Sequence, residues 1–177
     1  MRRIETSRLL LEPQVAAHAE AMFEVLSDPA IYEFENAPPA SLEWLRERFS
    51  KLETRRSGDG FEDWLNWVVC ERGGAPIGYV QATVQADRRA FIAYEMASAF
   101  WGRGLGREAV AAMIDALAAQ YGVHTVQAVF KRANFRSRRL LEALGFAAPT
   151  AQEMRHFALE ADEDALERRA VTTTEPR

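Results

Sequence analysis

Apolar residues in the first third of the chain form one strand-like segment and then two helix-like repeats. Ile4–Leu11 is an apolar segment bounded by a proline, which predicts a first strand. Met22–Leu26 supplies the apolar residues of a first helix, and Asp28–Pro29 ends it. In Leu42–Leu52 apolar residues recur every three or four positions behind Ser41, which predicts a second helix with Ser41 as its N-cap.

From Trp64 onward the period of the pattern shortens to two. Turns at Gly73–Gly74 and Asp87–Arg88 divide this stretch into three short apolar segments. Such a series is typical of an antiparallel meander. The predicted strands are Trp67–Glu71, Ile77–Val84 and Phe91–Met96.

The last third of the chain alternates helices with strands. An apolar stripe predicts a helix that runs up to Gly122, a residue suited to the left-handed turn that ends helices. A shorter helix over Phe135–Leu144 ends at Gly145, and strands are predicted at Val123–Phe130 and Ala151–Leu159. The sequence therefore predicts a mixed α/β fold, with an antiparallel meander first and later strands separated by helices.

The composition is that of an ordinary globular protein. The 177 residues are 48% hydrophobic and 27% charged, and a formal net charge of -4 argues against a general attraction to nucleic acid. Cys70 is the only cysteine, which excludes an intramolecular disulfide and fits a reducing, cytoplasmic compartment. The histidines are too scattered for a metal motif, and no apolar run is long enough for a signal peptide or a membrane span. We expect one domain over residues 1–160 and a charged, flexible tail over residues 161–177.

Three glycines, Gly102, Gly104 and Gly106, alternate between the last strand of the meander and the amphipathic helix. Glycines there permit unusual backbone conformations and let a ligand approach the main chain closely. The first amides of the following helix have no acceptor within it, and the helix dipole favours negative charge at that end. The segment is therefore typical of a phosphate or pyrophosphate site.

The residues around these glycines exclude two common nucleotide motifs. No Gly-Lys-Ser/Thr is present, so the loop is not a Walker loop, and the glycine spacing is not the dinucleotide fingerprint. About twenty residues on, where the dinucleotide fold keeps an acidic ribose ligand, the chain has Val126 and Gln127. The structural alternative is a glycine-rich turn that serves only tight packing.

Separated segments of the chain, each on the expected kind of element, carry a family resemblance. They are Thr6–Leu11, Ala75–Tyr79, Ala93–Met96 with Phe100–Ala109, and Asn134–Phe146. In this order they resemble the GNAT superfamily of acetyl-CoA-dependent N-acetyltransferases, and within it the Rim-type branch of ribosomal-protein N-terminal acetyltransferases. The resemblance spans residues 4–160. Trp101 replaces the Gln or Arg of the wider superfamily, as it does in the Rim-type branch, whereas Glu12 replaces an arginine usual in that branch.

This resemblance implies a GNAT fold that binds acetyl-CoA. The backbone amides of the glycine loop are expected to hold the CoA pyrophosphate. A splayed or bulged strand end is expected to pair with the pantetheine and to offer an amide to the thioester oxygen, with an ordinary strand end as the alternative. The expected cofactor-binding residues are Met96, Ala97 and Ser98 at the strand end, and Arg103, Gly104, Leu105, Gly106 and Arg107 in the loop.

Acetyl transfer to an amine needs a neutral nitrogen nucleophile, so a base is required. Glu95 is the candidate, because strand alternation directs it opposite to its neighbours, and a partly apolar cleft would raise its pKa towards the working range. The alternatives are a solvated strand charge or a residue that only orients the acceptor. Glu33 and Glu35 are rival carboxylates in an aromatic segment. The expected acceptor-binding residues are Tyr32, Glu33 and Phe34.

The late helix supplies the remaining candidates. Asn134 is an excellent N-cap, and the resemblance implies that it also contacts the cofactor. Ser137 matches the serine that Rim-type relatives place near the sulfur as general acid, whereas many GNAT enzymes use a tyrosine where this chain has Leu141. Five cations lie between Lys131 and Arg139, and one or two of them, Arg139 included, are expected to contact the CoA 3'-phosphate. The others form a solvated face or, alternatively, an RNA contact.

Together these observations predict an N-acetyltransferase, an acyltransferase that moves an acetyl group from acetyl-CoA to a primary amine by direct attack in a ternary complex. The acceptor is a protein N-terminal α-amine or a small-molecule amine. A non-catalytic acyl-CoA-binding regulatory module is the alternative from another class. The expected partners are acetyl-CoA and the acceptor, without a metal, a membrane or a nucleic acid, and a homodimer is compatible with the sequence.

Overall fold

The computed structural model describes residues 1–34 and 36–169 and folds them around one seven-stranded sheet, whose strands lie side by side in the order of the sequence. Neighbouring strands are antiparallel, except that the fifth and sixth are parallel. This confirms the predicted mixed α/β fold with an antiparallel meander. The strands are β1 (Ile4–Glu5), β2 (Leu9–Pro13), β3 (Asp63–Glu71), β4 (Pro76–Val84), β5 (Arg89–Met96), β6 (Thr125–Lys131) and β7 (Glu163–Arg169).

The helices begin and end at the residues that the local signals indicate. Ser41 Oγ accepts a hydrogen bond from the Trp44 amide at 3.1 Å, and Gly122 ends the longest helix with a φ of 65°. The helices are α1 (Ala19–Leu26), α2 (Leu42–Glu53), α3 (Leu105–Tyr121) and α4 (Phe135–Ala143). Among residues 1–34 and 36–169 there is no helix with the length and apolar character needed to cross a membrane.

The central strand β3 is buried on both faces and separates two hydrophobic cores. Trp67 and Val69 belong to the core that also contains residues of α3 and α4, and Val68 and Cys70 belong to the core formed with α1 and α2. All four residues are less than one-tenth exposed. Alternate residues of a strand point to opposite faces, so the sheet forms the middle of three layers.

Two strand predictions near the chain ends were wrong. Ile4–Leu11 forms two strands, because Thr6 makes a turn in which its amide donates to the Leu9 carbonyl at 3.0 Å and its hydroxyl accepts from the Leu9 amide at 2.9 Å. The last strand lies at Glu163–Arg169, past the predicted boundary at residue 160, and a 3₁₀ turn occupies Glu153–His156 instead. Residues 170–177 of the expected tail lie outside the described residues.

Gly78 allows β4 and β5 to approach closely beside the end of β5. A Cβ atom at this position would lie 2.1 Å from the Glu95 carbonyl oxygen and 2.9 Å from the Met96 Cα. Backbone atoms cannot move aside without breaking the ladder, because Gly78 is paired with Met96. A glycine is therefore required here for steric reasons.

We predict that Gly78→Ala lowers the free energy of unfolding by about 2 kcal/mol or more, as overpacking of a filled interior does. Gly58→Ala is the matched control, because nothing lies within 4 Å of a Cβ atom there. Urea unfolding followed by circular dichroism measures both variants. Equal unfolding midpoints for the two variants would contradict this steric interpretation.

Candidate active site

The parallel strands β5 and β6 separate after three residue pairs. Their register runs from Arg89 opposite Thr125 to Phe91 opposite Gln127, and then β5 continues against β4 alone and β6 against β7 alone. The prediction allowed a splayed or a bulged strand, and the structure has the splay, because β4 and β5 pair without interruption from Gly78 opposite Met96 to Val84 opposite Ala90.

Backbone groups of β5 point into the gap between β5 and β6. The Ala97 amide donates to the Ile77 carbonyl at 2.9 Å, which continues the ladder to β4 through odd-numbered residues. Backbone direction alternates along a strand, so the amides of Tyr94 and Met96 point away from β4 and into the gap. A gap lined by strand amides can accept an extended ligand as a substitute strand.

The Ala97 and Ser98 amides do not fit the cofactor role predicted for them. Ala97 is used in the ladder to β4, and the Ser98 amide donates to Asp28 Oδ2 at 2.8 Å, at the start of a 3₁₀ turn. Hydrogen bonds from Ser98 lower the pKa of Asp28, which favours the carboxylate that holds this amide. Of the three residues predicted at the strand end, Met96 alone directs its amide into the gap.

The glycine loop leads directly into α3 beside the gap. Gly102 and Gly104 have φ values of 72° and 74°, the left-handed region that glycine tolerates. The first bond within the helix runs from the Glu108 amide to the Gly104 carbonyl at 3.1 Å, so the amides of Leu105 to Arg107 have no acceptor inside the helix. These residues line the cavity described below, and free amides at a helix N-terminus are suited to bind an anion.

Arg103 directs its side chain away from this site. Its guanidinium forms an ion pair with Glu71 at 2.7 Å and lies 5.2 Å from the centre of the Phe100 ring. It is absent from the cavity lining, whereas Arg107 is present. The predicted contribution of Arg103 is therefore limited to its backbone.

Glu108 in the first turn of α3 ties the N-terminal strands to the glycine loop. Its carboxylate accepts hydrogen bonds from Thr6 Oγ1 at 2.5 Å, Ser7 Oγ at 3.1 Å and the Arg8 amide at 3.0 Å. The Arg8 guanidinium donates to Glu108 at 2.6 Å and to the Arg103 carbonyl at 2.9 Å. Burial raises the pKa of Glu108, but these hydrogen bonds outweigh burial and lower the pKa to about 2.

A cavity of about 870 Å³ opens at the gap and reaches both faces of the sheet. Strand β5 passes through it, with Tyr94 on the α3 and α4 face and Glu95 on the α1 and α2 face. The first face is lined by Leu105, Gly106, Asn134, Ser137, Arg139 and Leu140, and the second by Ile31, Tyr32, Phe34, Trp44, Leu45 and Phe49. The cavity can therefore hold two ligands that meet at the gap from opposite sides.

Glu95 lies where the strand pattern predicted, opposite Tyr79 on β4 and partly buried in the cavity wall. The negative charge of Glu95 acts on the nearby phenol of Tyr32. Burial, and then the charge of Glu95, raise the pKa of Tyr32 to about 12. The Tyr32 hydroxyl donates to the Leu26 carbonyl at 2.8 Å, so this phenol is held in place beside Glu95. Glu95 therefore places a carboxylate at the gap, where the two halves of the cavity meet.

Tyr94 is a site residue that sequence reasoning missed. Its hydroxyl lies 2.8 Å from Ser137 Oγ, and the Ser137 amide donates to the Asn134 side chain at 3.0 Å, which confirms the N-cap. Burial raises the pKa of Tyr94 to about 12, with the Ser137 hydrogen bond opposing this and the charge of Glu95 adding to it. The position where many relatives have a tyrosine, Leu141, is fully buried in the core. Alternation places the Tyr94 side chain on the face opposite to Glu95, but its bond to Ser137 is visible only in the folded chain.

Glu33 does not face the cavity as the acceptor prediction expected. Its carboxylate accepts from Arg136 of α4 at 2.5 Å, and the same guanidinium lies 4.2 Å from the Trp101 ring centre and 5.4 Å from that of Phe34. Tyr32 and Phe34 do line the cavity. The rival carboxylate Glu35 lies outside the described residues.

Ion pairs neutralise most of the predicted basic cluster. Lys131 contacts Glu160 at 2.7 Å and Asp162 at 3.1 Å, and their hydrogen bonds raise its pKa. Arg132 and Arg138 both bind Asp164. In the part of the chain that the structure describes, no three His, Cys, Asp or Glu side chains come together in a way that could hold a metal ion.

Comparison with known proteins agrees with this geometry. The sequence model of the acetyltransferase (GNAT) domain family matches residues 8–147. A relative named uncharacterized N-acetyltransferase YoaA, from Bacillus subtilis (strain 168), is 27% identical over 150 residues that cover 81% of each chain.

Solved structures with the same fold include RimL, a ribosomal L7/L12 alpha-N-protein acetyltransferase, in complex with coenzyme A. It has a TM-score of 0.79 and 16% identity, and the match covers 95% of this chain and 98% of that one. Ribosomal-protein-S5-alanine acetyltransferase from Vibrio fischeri has a TM-score of 0.75 and 16% identity, with 96% and 97% covered. The GNAT fold predicted from the sequence is confirmed.

We predict that Glu108→Gln lowers the free energy of unfolding by about 1–3 kcal/mol at pH 7, because hydrogen bonds to an ionised carboxylate are lost. The pKa of Glu108 is about 2 when folded and near 4.5 otherwise, so its stabilisation is complete above pH 4.5 and is lost as the pH falls towards 2. The difference between the wild-type protein and the variant should shrink over this range in urea unfolding. Asp115→Asn, at an exposed position of the same helix, is the control. A difference that is constant from pH 7 to pH 3 would contradict the assigned pKa.

Proposed function

This chain belongs to the acetyltransferase (GNAT) domain family, and we propose that it transfers an acetyl group from acetyl-CoA to a primary amine by direct attack in a ternary complex. The observation that carries the proposal is the gap between β5 and β6, into which the Tyr94 and Met96 amides point beside the N-terminus of α3. The residues at this gap fit the shape and charge of CoA, which is long, narrow and anionic at one end.

Each part of CoA has a matching set of residues. The amides of Leu105 to Arg107 bind the pyrophosphate, and Arg107 and Arg139, which line the same side of the cavity, contact phosphate oxygens. The Met96 amide donates to the thioester oxygen, where negative charge develops during transfer. Acetyl-CoA supplies the acetyl group in activated form, as a thioester.

Glu95 serves as the base for the attacking amine. It lies on the α1 and α2 face, opposite the side from which the phosphate-binding loop enters, so an acceptor in the aromatic half of the cavity reaches it directly. A protonated amine cannot attack, and the carboxylate takes its proton directly or through one water.

Ser137 assists the leaving thiolate, and Tyr94 holds its hydroxyl. A thiolate is a good leaving group, so a hydrogen bond to sulfur is sufficient help. With Tyr94 2.8 Å away, the serine hydroxyl has one fixed partner, and the phenol with a pKa of about 12 stays protonated across the physiological range. The Ser137 hydroxyl therefore donates a hydrogen bond to the departing sulfur while Tyr94 stays neutral.

The acceptor is a primary amine of a protein N terminus or of a small molecule in the cytoplasm. The names of two proteins of the same fold refer to ribosomal proteins, which supports testing protein N termini first. The test is release of free thiol from acetyl-CoA, screened over peptides with varied first residues and over small amines. We predict turnover with at least one of the two classes of acceptor, peptides or small amines. If the protein binds CoA but no acceptor causes thiol release, a regulatory module is supported instead.

We predict that Glu95→Gln lowers kcat/KM for the amine by about 10²-fold or more, as expected for loss of a general base, with the affinity for CoA unchanged. Steady-state thiol release and calorimetric titration with CoA measure the two quantities. Glu24→Gln, at an exposed position of α1, controls for a general effect of the charge change. A Glu95→Gln enzyme with normal turnover would rule out the base role.

For the hydroxyl pair of Tyr94 and Ser137, we predict that Tyr94→Phe and Ser137→Ala each lower kcat several-fold. We also predict that Tyr94→Phe has no further effect on kcat in the Ser137→Ala background. The non-additivity follows from the assignment of Tyr94 to hold Ser137. Tyr121→Phe, at a tyrosine outside the cavity lining, serves as the control. Fully additive losses in the double variant would show that the two hydroxyls act separately.

A further inference from the structure

Arg48 is a cation on the acceptor side of the cavity that the proposed reaction does not use. It lies on α2, its side chain is exposed, and its guanidinium is 5.6 Å from the centre of the Trp44 ring. Both residues line the cavity. Among residues 1–34 and 36–169, no carboxylate forms an ion pair with Arg48, whereas Arg46 on the same helix contacts Glu20 at 3.7 Å outside the cavity lining.

The charged residues of the cavity sort by the face of the sheet on which they lie. Arg107 and Arg139 are on the side assigned to the CoA phosphates, and Arg136 is paired with Glu33. Glu95 is the one carboxylate among the described lining residues. Among the described lining residues, Arg48 is therefore the one cation that is neither assigned to the CoA phosphates nor paired with a carboxylate, and it lies on the same face as Glu95.

The wall of this half of the cavity is apolar and aromatic. It is formed by Ile31, Tyr32, Phe34, Trp44, Leu45 and Phe49. A guanidinium stacked on an aromatic ring is preorganised for a carboxylate, because its planar donors match the two carboxylate oxygens. An apolar wall favours an apolar portion of the same ligand.

We infer that the acceptor is an amine with an apolar body and a carboxylate, with the carboxylate bound by Arg48 and the amine directed to Glu95. This inference rests on the proposed acetyl transfer. Polycationic amines are disfavoured, because Arg48 repels them and the single carboxylate of Glu95 cannot balance several positive charges. The carboxylate can belong to a free amino acid or to an acidic residue that follows a peptide's first apolar positions, and these two sources share the same recognition chemistry.

The experiment compares matched acceptors in the thiol-release assay. The comparison of L-phenylalanine with L-phenylalaninamide tests the free amino acid as the source of the carboxylate. The comparison of Ala-Phe-Glu with Ala-Phe-Gln, both C-terminally amidated, tests the peptide. Spermidine represents polycationic amines. In at least one pair we expect the acid to exceed its neutral partner by tenfold or more in kcat/KM. In Arg48→Gln that ratio falls to about one, while the KM for acetyl-CoA stays within twofold of its wild-type value. Arg46→Gln, the matched control, keeps the wild-type ratio.

A second readout does not depend on turnover. N-acetyl-L-phenylalanine and the N-acetylated Ala-Phe-Glu amide are titrated into the CoA-loaded protein by calorimetry. Binding of either one that weakens tenfold or more in Arg48→Gln supports the inference, and binding that is absent or equal in the two proteins overturns it.

Failure of this inference is distinct from failure of acetyl transfer. If neutral amines or spermidine are acetylated as well as the acids, or if Arg48→Gln leaves the ratios unchanged, the carboxylate site is overturned and the acetyltransferase stands. Loss of both thiol release and CoA binding in the wild-type protein overturns the two proposals together.

Discussion

A sheet is stable when each strand supplies hydrogen-bond partners to its neighbours. In this sheet the pairing between β5 and β6 ends at Phe91 and Gln127. The amides of Tyr94 and Met96 consequently point into an opening rather than at a strand. The glycine loop adds more backbone donors at the edge of the same opening, since Gly104, the N-cap of α3, is left-handed and the first amides of the helix follow it. The fold thereby concentrates unpaired main-chain donors at one place, and the rest of the site is arranged around them.

The gap also separates the two halves of the proposed reaction. A strand directs successive side chains to opposite faces, so Tyr94 and Glu95 face different halves of the cavity although they are neighbours in sequence, and in the proposed reaction they contact different ligands. The α3 and α4 face has the N-terminus of α3, Arg139 and Ser137, and the α1 and α2 face has an aromatic wall. Direct transfer requires the two ligands to meet at β5, and the cavity passes through the sheet at that point. Arg136 spans the two sides through its contacts with Trp101 and Glu33.

Local signals in the sequence predicted most elements, whereas features set by distant partners were missed. Helix caps, the period-two meander and the glycine loop depend on residues close in the chain. Glu163–Arg169 is mostly charged, and it is a strand because β6 pairs with it along its whole length. The Tyr94 bond to Ser137 and the Glu33 pair with Arg136 join residues 43 and 103 positions apart, so no local pattern announces them.

The central claim, that CoA occupies the gap beside the glycine loop, is tested most directly by nuclear magnetic resonance of the ¹⁵N-labelled protein. The backbone amide signals are followed while unacetylated CoA is added. We predict that the largest changes fall on the amides of Tyr94, Met96, the residues from Gly102 to Arg107, and Ser137. Changes confined to the acceptor-side helices, or spectra that do not respond to millimolar CoA, would contradict it.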